Sequence, residues 1–112
     1  MTHYLVELYS PKPTWAALDA AGRAAFFEEI GAGMGALVEM GVAPLTLSEV
    51  EAGFDNPAQQ RFLAIWRCPD KAAAEALVSG ISASGWHDYF ETVNAVGAEA
   101  GLEAHLAQLA EL

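Results

Sequence analysis

The densest group of side chains able to do chemistry lies in residues 86–91, which read Trp-His-Asp-Tyr-Phe-Glu. In a strand, His87, Tyr89 and Glu91 would share one face, whereas in a helix His87 and Glu91 would be one turn apart. Both conformations place His87 and Glu91 on the same side of the element, and a neighbouring carboxylate orients an imidazole for proton transfer. The segment therefore predicts a catalytic site with His87 as acid or base and Tyr89 as hydrogen-bond donor to a carbonyl or phenol.

Aromatic side chains flank these groups. Trp86 and Phe90 would form the walls of an apolar pocket. The alternative interpretation is structural: the aromatic residues belong to the core, and His87 stands at the end of an element. Three further residues are candidates for ligand binding: Trp66, His3 and Glu49.

Glu7 lies in the middle of a β-prone segment, where burying a carboxylate is expensive unless the group is paired. We expect the first strand to run parallel to the third and beside the last, which brings Glu7 towards Arg67 or Glu91. A pair of Glu7 with Glu91 would keep one carboxyl protonated and could do acid–base work. The alternative is a salt bridge of Glu7 with Arg67 or Arg61.

No metal site is predicted. His3, His87 and a glutamate could in principle form a two-histidine, one-carboxylate site, but their spacing fits no metal motif. We predict no cofactor, and the capture of haem or a metal by the histidines stays open. Cys68 is predicted to be a small core residue rather than a nucleophile.

A glycine-rich stretch, residues 31–35, looks superficially like a phosphate loop. It falls inside a helical period and lacks the following lysine, so a nucleotide site is not expected. Each glycine in a helix costs ~1 kcal/mol relative to alanine. We therefore predict that Gly31 and Gly35 pack closely against the sheet or a ligand.

The elements that must position these side chains follow from hydrophobic periodicity and from turn residues. Phe27, Ile30, Met34 and Leu37 recur at the spacing of one helical face, and Gly41 is typical of a helix end. Strands are predicted over residues 3–9, 45–52, 61–67 and 89–96, and the main helices over residues 20–40, 71–83 and 99–112.

The order β-α-β-β-α-β plus a C-terminal helix is that of the ferredoxin-like α+β fold. Two helices cover one face of a four-stranded antiparallel sheet and leave the other face open. The third predicted strand is apolar on both faces, and Leu45, Leu47 and Trp66 add apolar bulk. We expect this open face to pack against a second copy in a twofold homodimer.

Composition limits the possible partners. The chain has 112 residues, with 15 acidic and 5 basic side chains and a net charge of −10. Such a chain repels phosphate backbones and anionic membrane surfaces, so nucleic-acid and membrane binding are not expected. A chain of this length is expected to form a single domain, residues 1–112. We expect it in the cytoplasm, because the one cysteine forms no internal disulfide and no signal segment is evident.

Element order and three segments, residues 3–9, 62–67 and 85–91, resemble the dimeric α+β-barrel superfamily. That group includes monooxygenases of the antibiotic-biosynthesis type, muconolactone isomerases and the YCII-like, EthD-like and darcynin-like proteins. The resemblance implies a dimeric α+β barrel and a small apolar ligand.

Two functional hypotheses follow from this resemblance. The first is a cofactor-independent isomerase or monooxygenase that acts on a small aromatic or polyketide-like molecule and uses His87 with Tyr89. The second is a non-catalytic protein that binds such a compound or serves as an accessory subunit. The first helix lacks the histidine that YCII-like proteins place there.

Overall fold

The strands and the main helices follow the predicted order. The computed structural model describes residues 1–112. The strands are β1 (His3–Pro11), β2 (Ala43–Glu49), β3 (Phe62–Cys68) and β4 (Phe90–Ala98). The helices are α1 (Pro13–Ala16), α2 (Ala20–Glu39), α3 (Lys71–Ala83), α4 (Trp86–Tyr89) and α5 (Leu102–Ala110). The predicted ferredoxin-like α+β fold is confirmed.

The two long helices begin at aspartate caps. Asp19 accepts a hydrogen bond from the Gly22 amide at 2.7 Å, and Asp70 accepts one from the Ala73 amide at 2.8 Å. Each bond satisfies an amide that has no partner within its helix. Helix α2 ends before Gly41, whose φ of +88° is the left-handed conformation that the sequence predicts at that position.

The sheet has the order β2-β3-β1-β4, and every neighbouring pair is antiparallel. The prediction that the first and third strands run parallel is therefore wrong. The crossover through α2 returns β2 in the direction of β1, and the turn after β2 reverses β3. In this register Glu7 lies opposite Ala64 and Asn94, not beside Arg67 or Glu91.

The core lies between the sheet and the helices. It consists of Leu5, Val42, Cys68, Ala73, Ala74 and Leu77. Cys68 is fully buried there, as predicted. Because side chains alternate along β1, Glu7 points to the same side of the sheet as Leu5.

The apolar residues expected on the open sheet face are placed differently. Trp66 packs against the core on the helix side, and Leu47 lines a cavity on that side. The register of β2 against β3 shifts between Pro44 and Thr46, which leaves Leu45 outside the regular pairing. The prediction that Leu47 and Trp66 face a second copy is therefore wrong. Trp66 alternates with the buried Ala64 and Cys68 along β3, and Leu47 lies opposite Ala64, so both share the face that is covered by the helices.

Two glycines of helix α2 also differ from expectation. A Cβ atom at Gly31 or at Gly35 would meet nothing within 4 Å, so the predicted close packing of these glycines against the sheet is wrong. Helix α5 leaves Leu102, Leu106 and Leu109 at least half exposed. None of the helices is both long and apolar enough to cross a membrane.

Candidate functional site

A cavity of about 350 Å³ lies between the sheet and helices α2 and α3. Of its 16 lining residues 11 are hydrophobic, so its walls are mainly apolar. Its size falls at the lower end of the range of small-molecule sites, ~300–1,000 Å³. We call it the Glu7 cavity, because Glu7 is its most deeply buried polar residue.

Glu7 is only 4% exposed, yet it carries a carboxyl group in the middle of β1. Its Oε1 accepts a hydrogen bond from Nε1 of Trp66 at 2.8 Å. Its Oε2 has no hydrogen-bond partner in the protein. Every side-chain oxygen that is fully buried does have such a partner. Oε2 therefore retains accessible surface, and since Glu7 lines the cavity, this oxygen is available to a ligand.

Burial raises the pKa of Glu7 above its ordinary value. The hydrogen bond from Trp66 and the charge of His87 act in the opposite direction and are smaller. The pKa of Tyr9, which also lines the cavity, is raised by burial and by the negative charge of Glu7. A carboxyl whose pKa is raised in an apolar cavity is suited to proton exchange with a bound molecule.

One end of the cavity is formed by a cluster of aromatic rings. Trp86 lines the cavity and stacks on Phe90 with ring centroids 4.1 Å apart. Tyr9 meets Trp86 edge to face at 5.2 Å. The indole of Trp86 donates a hydrogen bond to Oγ1 of Thr92 at 3.1 Å, which fixes the orientation of this wall.

The predicted site residues of the 86–91 segment are distributed over several environments. Trp86 lines the Glu7 cavity, and Phe90 lies buried behind it. His87 is half-buried, and its main-chain carbonyl accepts a hydrogen bond from Nζ of Lys12 at 2.6 Å. Tyr89 packs edge to face against Phe26. His87 and Tyr89 do not line the cavity, so their catalytic roles stay predictions.

Glu91 lies apart from these residues because α4 ends before β4 begins. It is exposed and pairs in register with Ser10, on the sheet face away from Glu7. Since neither Glu91 nor His87 lines the cavity, the structure does not assemble His87, Tyr89 and Glu91 there. The expected pair of Glu7 with Glu91 is wrong, because the two side chains lie on opposite faces of the sheet.

His3 and Glu49 also lie outside the cavity. His3 is at the start of β1 opposite Cys68, with its Nδ1 2.9 Å from the carbonyl oxygen of Met1. Glu49 is exposed and rims a separate polar depression that includes Arg61. The protein contains no group of three His, Cys, Asp or Glu side chains placed to hold a metal ion.

The sequence predictions include Glu7, Trp66 and Trp86 but miss several cavity residues. Tyr9 follows Glu7 by two positions on the same face of β1, so strand alternation could have identified it. Glu29 and Gly33 lie four positions apart on α2 and both line the cavity. Their spacing is that of one helical face, and this face differs from the one that carries Gly31 and Gly35.

The influence of His87 on Glu7 gives a first test. A positive charge at His87 favours the carboxylate form of Glu7, so His87→Ala should raise the pKa of Glu7 further. Titration of the Glu7 carboxyl carbon by NMR measures this change. His105→Ala, on the exposed helix α5, serves as the control and should leave the Glu7 pKa unchanged. An equal pKa in wild type and His87→Ala would contradict the interaction.

The antiparallel sheet order, with helices on one face, places the protein in the ferredoxin-like α+β class. The chain belongs to a family of unknown function, DUF6616, whose model matches residues 2–112. No curated protein matches it at a significant level.

Solved structures share the fold at low sequence identity. A mutant chlorite dismutase from Candidatus Nitrospira defluvii is 19% identical, with a TM-score of 0.68, over 96% of this chain and 44% of that chain. A DABB family protein with a ferredoxin-like fold from Mesorhizobium loti is 10% identical, with a TM-score of 0.51, over 89% and 98% of the two chains. A protein of unknown function from Rhodopseudomonas palustris is 16% identical, with a TM-score of 0.53, over 88% and 84%. The chain spans less than half the length of the chlorite dismutase chains that it matches.

Proposed function

We propose that this protein binds a small apolar or aromatic molecule in the Glu7 cavity and exchanges a proton with it through Glu7. The observation that carries the proposal is the buried carboxyl, held on one oxygen by Trp66 and open to the cavity on the other. Apolar walls supply binding energy through the removal of ligand surface from water. A small number of fixed polar groups then orients the ligand.

The chemistry that fits this arrangement is cofactor-independent proton transfer, as in an isomerisation. Glu7 would act as acid or base, and the hydroxyl of Tyr9, which also lines the cavity, carries a further transferable proton. His87 would act by its charge on Glu7 rather than by contact with the ligand. The alternative is a non-catalytic binding protein. The hydrogen bond from Trp66 supports it, because ligand recognition also requires a carboxyl group that is held in a fixed orientation.

Calorimetric titration with a neutral aromatic probe, naphthalenemethanol, tests the proposal. We expect saturable binding at one site per chain that is lost when the cavity is filled by substitution. The absence of saturable binding by this alcohol, and by the amine and the carboxylate of the same ring system, would overturn the proposal. Incorporation of solvent deuterium into a bound carbon acid, lost in Glu7→Gln, distinguishes the enzyme from the binding protein.

We also propose that the protein is a homodimer formed through the open sheet face. Strand alternation places several apolar side chains on this face, away from the helices: Val6, Leu8, Leu63, Ile65 and Val93. Val93 is 53% exposed. A contiguous apolar surface of this kind marks an association site, and a second copy offers a surface of the same chemistry.

The acidic surface and a single buried thiol fit a protein of the reducing cytoplasm.

A charged residue in the centre of the open face should dissociate the dimer. Ile65 lies in β3 between Val6 of β1 and Thr46 of β2, so Ile65→Lys buries an unpaired ammonium group in the proposed interface. Light scattering after size-exclusion chromatography should show a dimer for wild type and a monomer for Ile65→Lys. The control is Ala72→Lys at an exposed site on α3. A monomeric wild type, or a dimeric Ile65→Lys protein, would contradict this interface.

A further inference from the structure

The Glu7 cavity offers hydrogen-bond acceptors but few donors. The indole N–H of Trp66 is donated to Glu7, and that of Trp86 is donated to Thr92. The hydroxyl of Ser84 donates to the carbonyl oxygen of Ile81 at 2.6 Å. Of the side-chain donors that line the cavity, the Tyr9 hydroxyl alone is left without a protein partner. A ligand must therefore bring its own donors.

The charged side chains that line the cavity also favour a ligand with hydrogen-bond donors, and in particular a cation. Glu7 and Glu29 are among the lining residues, whereas no lysine, arginine or histidine is. The nearest positive influence on Glu7 comes from His87, which lies outside the cavity wall. The net charge of −10 adds a field that attracts cations and repels anions.

Aromatic walls complete this arrangement. Tyr9, Trp66 and Trp86 contribute rings to the lining. The face of an aromatic ring attracts a cation, and this attraction increases when the site excludes water. Carboxylate groups beside aromatic rings, with no competing cation, are the chemistry that recognises an organic ammonium group.

We propose that the ligand of the Glu7 cavity is an apolar or aromatic amine, bound as the ammonium ion with its N–H groups directed at the free oxygen of Glu7. This inference rests on the proposed function and narrows its ligand class. The fold has already removed the Glu7 carboxyl from bulk water, so an arriving ammonium meets an acceptor that is held in place by Trp66. When the amine binds in its neutral form, the proton passes from the Glu7 carboxyl to the amine nitrogen and leaves an ion pair.

Three probes with the same ring system and different charge test this inference: naphthylmethylamine (cation), naphthalenemethanol (neutral) and naphthoate (anion). In calorimetric titrations of the wild type we expect the amine to bind at least tenfold more tightly than the alcohol. Naphthoate should show no saturable binding. In Glu7→Gln the advantage of the amine over the alcohol should fall below threefold.

Glu75→Gln is the matched control, because it removes one negative charge from an exposed position on α3. It should retain the preference for the amine. An alcohol that binds wild type as tightly as the amine would overturn the inference and leave the proposed function standing, as would a preference that persists in Glu7→Gln. If none of the three probes binds the wild type, the proposed function fails as well.

Discussion

Gly33→Leu is expected to abolish binding in the Glu7 cavity, with a loss of affinity of at least a hundredfold. Gly33 lies on α2 and lines the cavity, and a Cβ atom at this position would meet nothing within 4 Å. A leucine side chain can therefore be accommodated without a clash and would occupy space that the ligand needs. The measurement is the dissociation constant of naphthalenemethanol or naphthylmethylamine, determined by calorimetry.

Gly31→Leu provides a closely matched control. Gly31 is also an exposed glycine of α2 with nothing within 4 Å of its Cβ position, but it does not line the cavity. Both substitutions should stabilise the helix by up to ~1 kcal/mol, since glycine is the poorer helix former. Only Gly33→Leu should lose binding. Equal affinities of the two variants would place the ligand elsewhere on the protein.

The fold could be predicted largely from local patterns. The apolar spacing from Phe27 to Leu37 determines a helix, and α3 spans Lys71–Ala83, the residues predicted for it. Strand direction follows from the same element order, because the crossover through α2 returns β2 in the direction of β1 and the next turn reverses β3. The expectation of parallel first and third strands was inconsistent with the antiparallel sheet that this order implies. The face to which Leu47 points depends on the register shift between Pro44 and Thr46, which the pattern of apolar residues does not record.

The candidate site was only partly predictable, for a related reason. Glu7 stands out in the sequence as a carboxylate within a β-prone segment, but its partner was expected among charged residues. The structure pairs it with the indole of Trp66, 59 positions away. The concentration of polar and aromatic groups around His87 suggested a site there, whereas His87 and Tyr89, on the short helix α4, do not line the cavity. Long-range strand pairing, not local composition, determines which side chains meet.

The burial that suits Glu7 to proton exchange should also reduce the stability of the folded protein at neutral pH. The pKa of Glu7 is raised in the folded protein, chiefly by burial, above an ordinary value of about 4.5. The folded state thus favours the protonated carboxyl, and this contribution to stability is fully present below the unfolded pKa. It is lost as the pH rises through the folded pKa, so burial of this carboxyl lowers the free energy of unfolding at neutral pH relative to acidic pH.

Glu7→Gln should therefore stabilise the protein at pH 7 by roughly 1 kcal/mol, or about 4 °C in Tm. The amide keeps an oxygen that can accept the hydrogen bond from Trp66 and removes the buried charge. Denaturant unfolding between pH 3 and pH 8 should show the gain at neutral pH and its disappearance below the ordinary carboxyl pKa. Glu75→Gln, at an exposed site, should change stability by less than ~0.5 kcal/mol at every pH. A Glu7→Gln protein that is less stable than wild type at pH 7 would show that the carboxylate is well solvated or paired in the fold. If Glu7→Gln is more stable than wild type and also loses amine binding, Glu7 serves ligand binding and reduces the stability of the fold.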